Sequence, residues 1–307
     1  MAPRDGAPQD LRAMRALVLG STGFLGRLVT SALQERGCEV EGWARSVRTD
    51  VAAGTRRVDL AGDAPLPLPL APWDAAVLVA GPSVPLRFDA LLDYARTCTI
   101  TLRALEHLGR HAPDCRVVVV SSAHVLSPGA EPLGEDAPTA PLSAYARAKE
   151  LVESISRVRP DKLDVVVARV FGSVGPGLPR GLFVPDVLAR IASGESRIWL
   201  AGADARRDLL DGRDVADALV ALMTTREARG TFHVGSGSGV RLSEVAAQLA
   251  TACGRACTFE FAPGEGAGWI ADPSRIIAAT GWRPRRTLTD AIEWTVREEA
   301  LASRAAP

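Results

Sequence analysis

The chain is 307 residues long, which at roughly 100–200 residues per domain suits one large α/β unit or two interleaved lobes. Hydrophobic residues supply 47% and charged residues 23% of it, so wholesale disorder is excluded. Basic and acidic side chains number 36 each and cancel, which excludes a general electrostatic grip on nucleic acid or an acidic membrane.

In chain order, residues 1–11 mix charge with Pro and Gly and lack the apolar stretch of a signal peptide, so a disordered leader is expected there. The run Arg15-Ala-Leu-Val-Leu-Gly20 reads as a first strand, followed by a glycine turn and a helix from Phe24 to about Arg36. A second strand is expected over Cys38–Trp43, a proline-broken loop over Pro65–Pro72, and buried strands at Ala75–Ala80, Arg116–Ser121 and Leu163–Val170. Helical patterns cover Arg87–His111 and Ala144–Val158. Strands alternating with helices predict an α/β fold, a doubly wound parallel sheet of Rossmann type. After Phe171 the texture turns to Gly and Pro, so a dinucleotide-binding domain is expected over 12–172. A smaller, partly interleaved C-terminal substrate lobe follows over 173–307, some of its segments returning to the first domain. No apolar run approaches the ~18–20 residues of a membrane span. The five cysteines (38, 98, 115, 253 and 257) show no paired metal spacing, so no metal site is expected and a reducing, cytoplasmic compartment is.

The turn Gly20-Ser-Thr22-Gly23-Phe24-Leu25-Gly26 sits at the first strand-to-helix junction. A pyrophosphate there needs a tight turn, backbone without Cβ and close helix packing. These residues are therefore expected to hold a dinucleotide, with Ala80 at the end of a later strand. At the end of the second strand stands Arg45, with Arg48 nearby, and no carboxylate. A guanidinium suits a 2′-phosphate, which favours NADP(H), with NAD(H) left open and a solvated loop charge the plain reading of Arg45. Asp59 and Leu60 are placed against the adenine.

Tyr145 and Lys149 lie four apart on one helix face, where an ammonium favours phenolate and proton exchange; an exposed helix pair is the plain alternative. Ser122 closes a buried strand, at the strand end where open α/β sheets present ligands. With these three signals in order, the sequence resembles the extended short-chain dehydrogenase/reductase superfamily, the NAD(P)-dependent epimerase/dehydratase branch. The resemblance runs from about Ala16 to Trp294. It rests on the glycine turn, Ser121-Ser122-Ala-His-Val125, Pro141 to Lys149, Arg169 to Gly177, Arg207 to Val215 and Thr280-Gly-Trp282-Arg-Pro284. It implies that Ser122, Tyr145 and Lys149 form the catalytic triad. Tyr145 would be the acid/base, and Lys149 would bind the nicotinamide ribose and lower the tyrosine pKa.

Departures from the family pattern bear on the substrate. Sugar-nucleotide dehydratases carry an Asp-Glu pair where this chain has Ala123 and His124, which disfavours a dehydratase; His124 is either a second proton carrier or a hydrogen-bonding wall. Gly172 replaces a diphosphate-holding Asn, and a later Arg is replaced around Ala262–Glu265. Arg207 remains to contact a diphosphate, unless it pairs with Asp208 or Asp211. Phe183 is expected over a nucleotide base or in ordinary core, His233 in a structural loop role, and Trp282 packing a helix end. The expected function is an NADPH-dependent ketoreductase of a keto-sugar, a nucleotide-linked 4-keto-deoxysugar. Alternatives are a sugar-nucleotide epimerase with tightly bound NAD, a reductase of a non-sugar carbonyl, or a decayed cofactor-binding scaffold. The resemblance also implies a homodimer, formed through the helix that carries Tyr145 and Lys149 and the long helix before it, around Leu91–His111, with a monomer the alternative.

Overall fold

The structure is a computed structural model and describes residues 11–46, 54–158, 160, 162–200, 202, 205–262 and 268–305. The leader up to residue 10, Arg48 and the segment 263–267 fall outside the described residues. Seven strands form the main sheet: β1 (Arg15–Leu19), β2 (Glu39–Ala44), β3 (Thr55–Arg57), β4 (Ala75–Leu78), β5 (Arg116–Ser122), β6 (Asp164–Val170) and, later in the chain, β10 (Gly230–Val234). Their order is β10-β6-β5-β4-β1-β2-β3, and every pair is parallel. Strand order therefore reverses between β1 and β4. A crevice forms at the carboxyl ends of such a switch point.

Both faces of the sheet are covered, which is why its strands read as unbroken apolar runs. In β1, Ala16 and Val18 pack toward α1 (Phe24–Gln34) and α5 (Gly212–Thr224), through Val29, Leu33, Val215 and Leu219. Leu17 and Leu19 pack toward α2 (Leu92–His111) and α3 (Ala144–Arg157), through Ile100, Leu105, Leu108 and Val152. Burying one such Leu or Ile contributes about 1.5–3 kcal/mol. The second helix begins at Leu92 rather than at Arg87. Arg87 ends a short 3₁₀ turn opened by Pro85, and the Asp89 carboxylate accepts the N–H groups of Leu91 and Leu92 at 3.0 and 2.7 Å. Those two bonds satisfy N–H groups that the helix start leaves without an intrahelical partner.

Two strands of the sheet are absent from the sequence expectations. β3 is three residues long, Thr-Arg-Arg, and β10 reads Gly-Thr-Phe-His-Val; both are sheet edges, where no long apolar run is required. The remaining elements form a second lobe. β7 (Gly172–Val174), β9 (Arg206–Asp211) and β11 (Gly239–Arg241) make one small sheet, and β8 (Arg197–Leu200) with β12 (Thr258–Phe261) another. Helices α4 (Phe183–Ala192), α6 (Leu242–Ala252) and α8 (Leu288–Ala305) enclose the lobe's core of Val174, Val187, Ile191, Ile198, Val245, Leu249 and Ile292. Between α6 and α8, α7 (Ser274–Thr280) ends on Gly281 at φ +73°, a left-handed cap. The next residue, Trp282, is buried and donates its indole N–H to the Asp214 carbonyl at 3.1 Å, the helix-end packing expected of it.

Candidate active site

The glycine turn sits where β1 meets α1. A side chain at Gly20 (φ +100°) would place its Cβ 2.7 Å from the Ala80 nitrogen, and one at Gly26 would stand 2.0 Å from the Gly20 carbonyl oxygen. Only glycine lets the turn, the helix and the β4 end approach this closely. Gly23 is the N-cap of α1, and no side chain caps the helix there. Its first-turn N–H groups are thus available to an anion. Next to this cradle opens a cavity of about 420 Å³ lined by Gly20, Thr22, Gly23, Arg45, Asp59, Leu60 and Ala80, all expected, and by Ser46, Gly81, Asp93, Arg96 and Ile100, which were not. Its size is that of small-molecule sites. These residues fit a dinucleotide: a cradle free of Cβ atoms for the pyrophosphate, and a pocket with apolar and charged walls for the adenosine.

Phe24, Leu25 and Gly26 form the first turn of α1 and lie outside that cavity lining. The Phe24 ring packs instead beside Gly175 and Gly212, so its expected contribution is confined to backbone N–H. Asp59 is exposed and already accepts the Ala61 N–H at 3.0 Å; its second oxygen faces no partner among the described residues.

Ser122, Tyr145 and Lys149 converge at the carboxyl ends of β5 and β6. Ser143 caps α3 by accepting the Ala146 N–H at 3.1 Å, which sets the register that turns Tyr145 and Lys149 to the same face. The Ser122 hydroxyl faces the Tyr145 phenol and favours its charged form. The Lys149 ammonium donates to the Val120 carbonyl at 3.2 Å and lies 5.9 Å from the Tyr145 ring centre. Burial pushes the Tyr145 phenol up, with the Ser122 hydroxyl pulling against it. Burial also lowers Lys149 to about 8. The expected lowering of the phenol by Lys149 is therefore not what governs it here: desolvation of two buried groups outweighs their mutual effect.

His124 stacks on Trp269, with ring centres 4.7 Å apart and planes within 8°, and meets the Tyr145 ring edge-on at 5.9 Å. Burial, then the charge of Arg207, lowers its pKa to about 4. Burial thus holds the imidazole neutral at physiological pH, stacked on the indole beside Tyr145. Arg207 lies with its guanidinium carbon 4.7 Å from the Trp269 ring centre, a cation–π contact. The anticipated alternative, a salt bridge to Asp208 or Asp211, is not formed. Asp208 accepts the N–H groups of Ser236, Gly237 and Ala271 at 2.8, 2.9 and 3.1 Å, and Asp211 is taken by Arg213. Arg207 is left facing the site.

Trp269 was not singled out by sequence. It reaches the site because Gly268 pairs with Gly129 and Ala271 with Leu133, and its indole N–H is fixed on the Leu126 carbonyl at 2.9 Å. No local pattern announces such a contact. Phe183 begins α4 and packs, half-buried, on the second lobe's core, which favours the core member of its two readings. Gly172 has a physical reason: a Cβ there would meet the Asp208 carbonyl oxygen at 2.5 Å, so β7 and β9 leave no room for an asparagine. His233 is corrected from a loop to strand β10, fully buried, its backbone N–H on Glu135 at 2.8 Å and its Nδ1 on the Leu133 carbonyl at 2.9 Å.

A dinucleotide cradle at the switch point of a doubly wound sheet, beside a Ser–Tyr–Lys group, defines an NAD(P)-dependent enzyme of the extended short-chain dehydrogenase/reductase type. The chain belongs to the NAD dependent epimerase/dehydratase family, whose family model matches residues 16–235. It is 29% identical to dTDP-6-deoxy-L-talose 4-dehydrogenase (NAD(P)(+)) of Kitasatospora kifunensis, over 93% of this chain and 96% of that one. It is 27% identical to a UDP-glucose 4-epimerase of Azospirillum brasilense, over 92% and 91% of the two chains. Among solved structures it resembles RMD from Pseudomonas aeruginosa complexed with NADPH, with a TM-score of 0.78 and 25% identity over 95% of this chain and 100% of that one. No helix among the described residues is long and apolar enough to cross a membrane.

Proposed function

We propose that the protein is an NADPH-dependent ketoreductase of a nucleotide-linked 4-keto-deoxysugar. The observation that carries the reading is the Ser122–Tyr145–Lys149 group beside a His124 whose pKa is lowered to about 4. The position where a dehydratase needs a carboxylic acid holds a neutral imidazole, while the parts required for carbonyl reduction are complete. NADPH, when bound, supplies the hydride. Tyr145 donates its proton to the carbonyl oxygen, Ser122 orients that oxygen through a hydrogen bond, and Lys149 holds the nicotinamide ribose. His124 and Trp269 wall the sugar, and Arg207, which donates to the Arg206 carbonyl at 2.9 Å and has no carboxylate partner among the described residues, offers its remaining N–H groups to a phosphate. Gly20, Thr22, Gly23 and the N–H groups of Phe24, Leu25 and Gly26 hold the pyrophosphate, with Asp59, Leu60 and Ala80 around the adenine. Arg45 takes the 2′-phosphate.

The similarity to the talose dehydrogenase over nearly all of both chains, and to RMD, solved in complex with NADPH, supports this reading. The similarity to a UDP-glucose 4-epimerase supports a second one, in which the same triad oxidises and re-reduces its substrate around retained NAD. One experiment separates them. Purified protein is denatured and any released nucleotide identified by mass, and NADPH consumption is then followed with a 4-keto-6-deoxyhexose linked to a nucleoside diphosphate. Exchangeable NADPH consumed stoichiometrically with alcohol formation is the expected result. Retained NAD(H) and no NADPH consumption would establish the epimerase.

The protein is further read as a cytoplasmic homodimer. Leu92 and Leu102 on α2 and Val158 after α3 are 70%, 52% and 86% exposed, apolar side chains left in solvent on two helices that pack side by side. Light scattering of Leu92→Glu against the parent checks it: a dimer converts to a monomer.

A further inference from the structure

We propose that Arg96 is a second guanidinium for the 2′-phosphate of the cofactor, reaching it from α2 while Arg45 reaches it from the end of β2; this rests on the NADPH reading above. Asp93, Arg96, Ile100 and Arg103 recur at spacings of three, four and three along α2, which places them on one helix face. That face is bound to the adenosine cavity. Ile100, 7% exposed, lines it. Two turns from Arg96, Arg103 donates to the Leu60 carbonyl at 3.4 Å and to the Ala64 carbonyl, holding the wall segment that begins at Asp59. Arg96 lines the same cavity as Arg45 and Ser46.

The chemistry of the pocket calls for two cations. A phosphate monoester carries close to two negative charges near neutrality, and Arg45 alone neutralises one. No carboxylate among the described residues pairs with Arg45. The carboxylates lining the cavity are Asp59 and Asp93, and uncompensated they would repel the phosphate. Arg96 is loosely held: its contact with Asp93 is 3.4 Å long and its side chain is 44% exposed. Asp93 keeps a second bond, accepting the Asp89 N–H at 3.0 Å, so it stays partnered when the guanidinium turns to the ligand. An arginine there also offers a fork that matches two phosphate oxygens, as a lysine does not.

The test uses the whole protein and two probes that differ only in the phosphate concerned: adenosine 2′,5′-bisphosphate and adenosine 5′-monophosphate, titrated calorimetrically. The parent is expected to prefer the bisphosphate. Arg96→Ala is expected to cut that preference about tenfold or more, the scale of one charge-assisted hydrogen-bonding group, with the monophosphate affinity within twofold. Arg96→Lys should keep part of it. Arg45→Ala should act in the same direction, and the double variant should bind both probes alike. Equal weakening of both probes by Arg96→Ala would mean contact with adenine or ribose and would overturn the proposal. Recovery of the preference on adding Asp93→Asn would mean that Arg96 only masks that carboxylate, and would also overturn it. An unchanged ratio overturns it while leaving the NADPH reading intact. A parent with no preference for the bisphosphate removes the NADPH reading itself.

Discussion

Neighbouring turns of α3 carry buried ionisable groups with opposite habits. Tyr145 faces the Ser122 hydroxyl, and Lys149 donates to the Val120 carbonyl; both pKa values move toward the neutral form. One turn on, Glu153 is fully buried and saturated. Its oxygens accept from Ser121 at 2.7 Å and from Arg169 twice at 2.9 Å. Arg169 extends the network to the Glu135 carbonyl at 3.3 Å and to His233 at 3.4 Å. One pair keeps unused hydrogen-bonding capacity at the carboxyl ends of two interior strands, where a ligand completes it. The other spends its capacity inside the protein, where it locks α3 against β5 and β6. The difference separates a reactive buried group from a structural one more sharply than burial alone does.

Tyr145→Phe tests the reactive half and has the largest expected effect. Removing a general acid costs about 10²–10⁴-fold in kcat. Because Phe fills the same space, the NADPH affinity is expected to stay within twofold and the melting temperature close to that of the parent. A comparable loss of cofactor binding or of folding would return Tyr145 to the structural class and break the comparison.

Glu153→Gln tests the other half. It leaves Arg169, 4% exposed, without its charge partner in the interior. Breaking one member of a buried ion pair costs about 3–5 kcal/mol, read as a drop in unfolding free energy by urea titration. Replacing Glu153 and Arg169 together by neutral residues is expected to cost less than Glu153→Gln alone. If Glu153→Gln unfolds at the parent's urea midpoint, the network carries no such penalty and the contrast along α3 fails.

Much of this division was readable in advance. The strands of Val and Leu at the centre of the sheet must be covered on both faces, so β1, β4, β5 and β6 announce themselves. The glycine turn and the Tyr145–Lys149 spacing are local, and local spacing fixes which groups share a helix face. Glu153 continues that spacing by four more residues, a signal available in the sequence and not used. Edge strands β3 and β10 escape because their pairing is settled by the neighbouring strand rather than by their own hydrophobicity. Arg96 and Trp269 escape for another reason. Each enters a site through tertiary contacts of its element, α2 on the Leu60–Ala64 wall and Ala271 on Leu133, and neither contact has a local signature. The unformed Arg207–Asp208 bridge belongs with these, since Asp208 is claimed by Ser236 and Ala271, residues far along the chain.

The smallest expected effect has the opposite sign from Glu153→Gln. Lys149 titrates at about 8 in the folded protein, against an ordinary 10.5, because burial disfavours its charged form. Below pH 8 both folded and unfolded chains carry the proton, and the whole cost of holding that charge in the interior is present. Lys149→Met removes the cost, offset in part by the lost hydrogen bond to Val120. It is therefore expected to stabilise the protein at pH 7 by about 1–3 kcal/mol while abolishing turnover. Between pH 8 and 10.5 the unfolded parent binds more protons than the folded one, so the parent's stability rises through that window and the advantage of Lys149→Met disappears. Urea midpoints of the two proteins at pH 7 and pH 10 check both the sign and the window. A Lys149→Met protein less stable than the parent at pH 7 would place Lys149 with Glu153, as part of the scaffold.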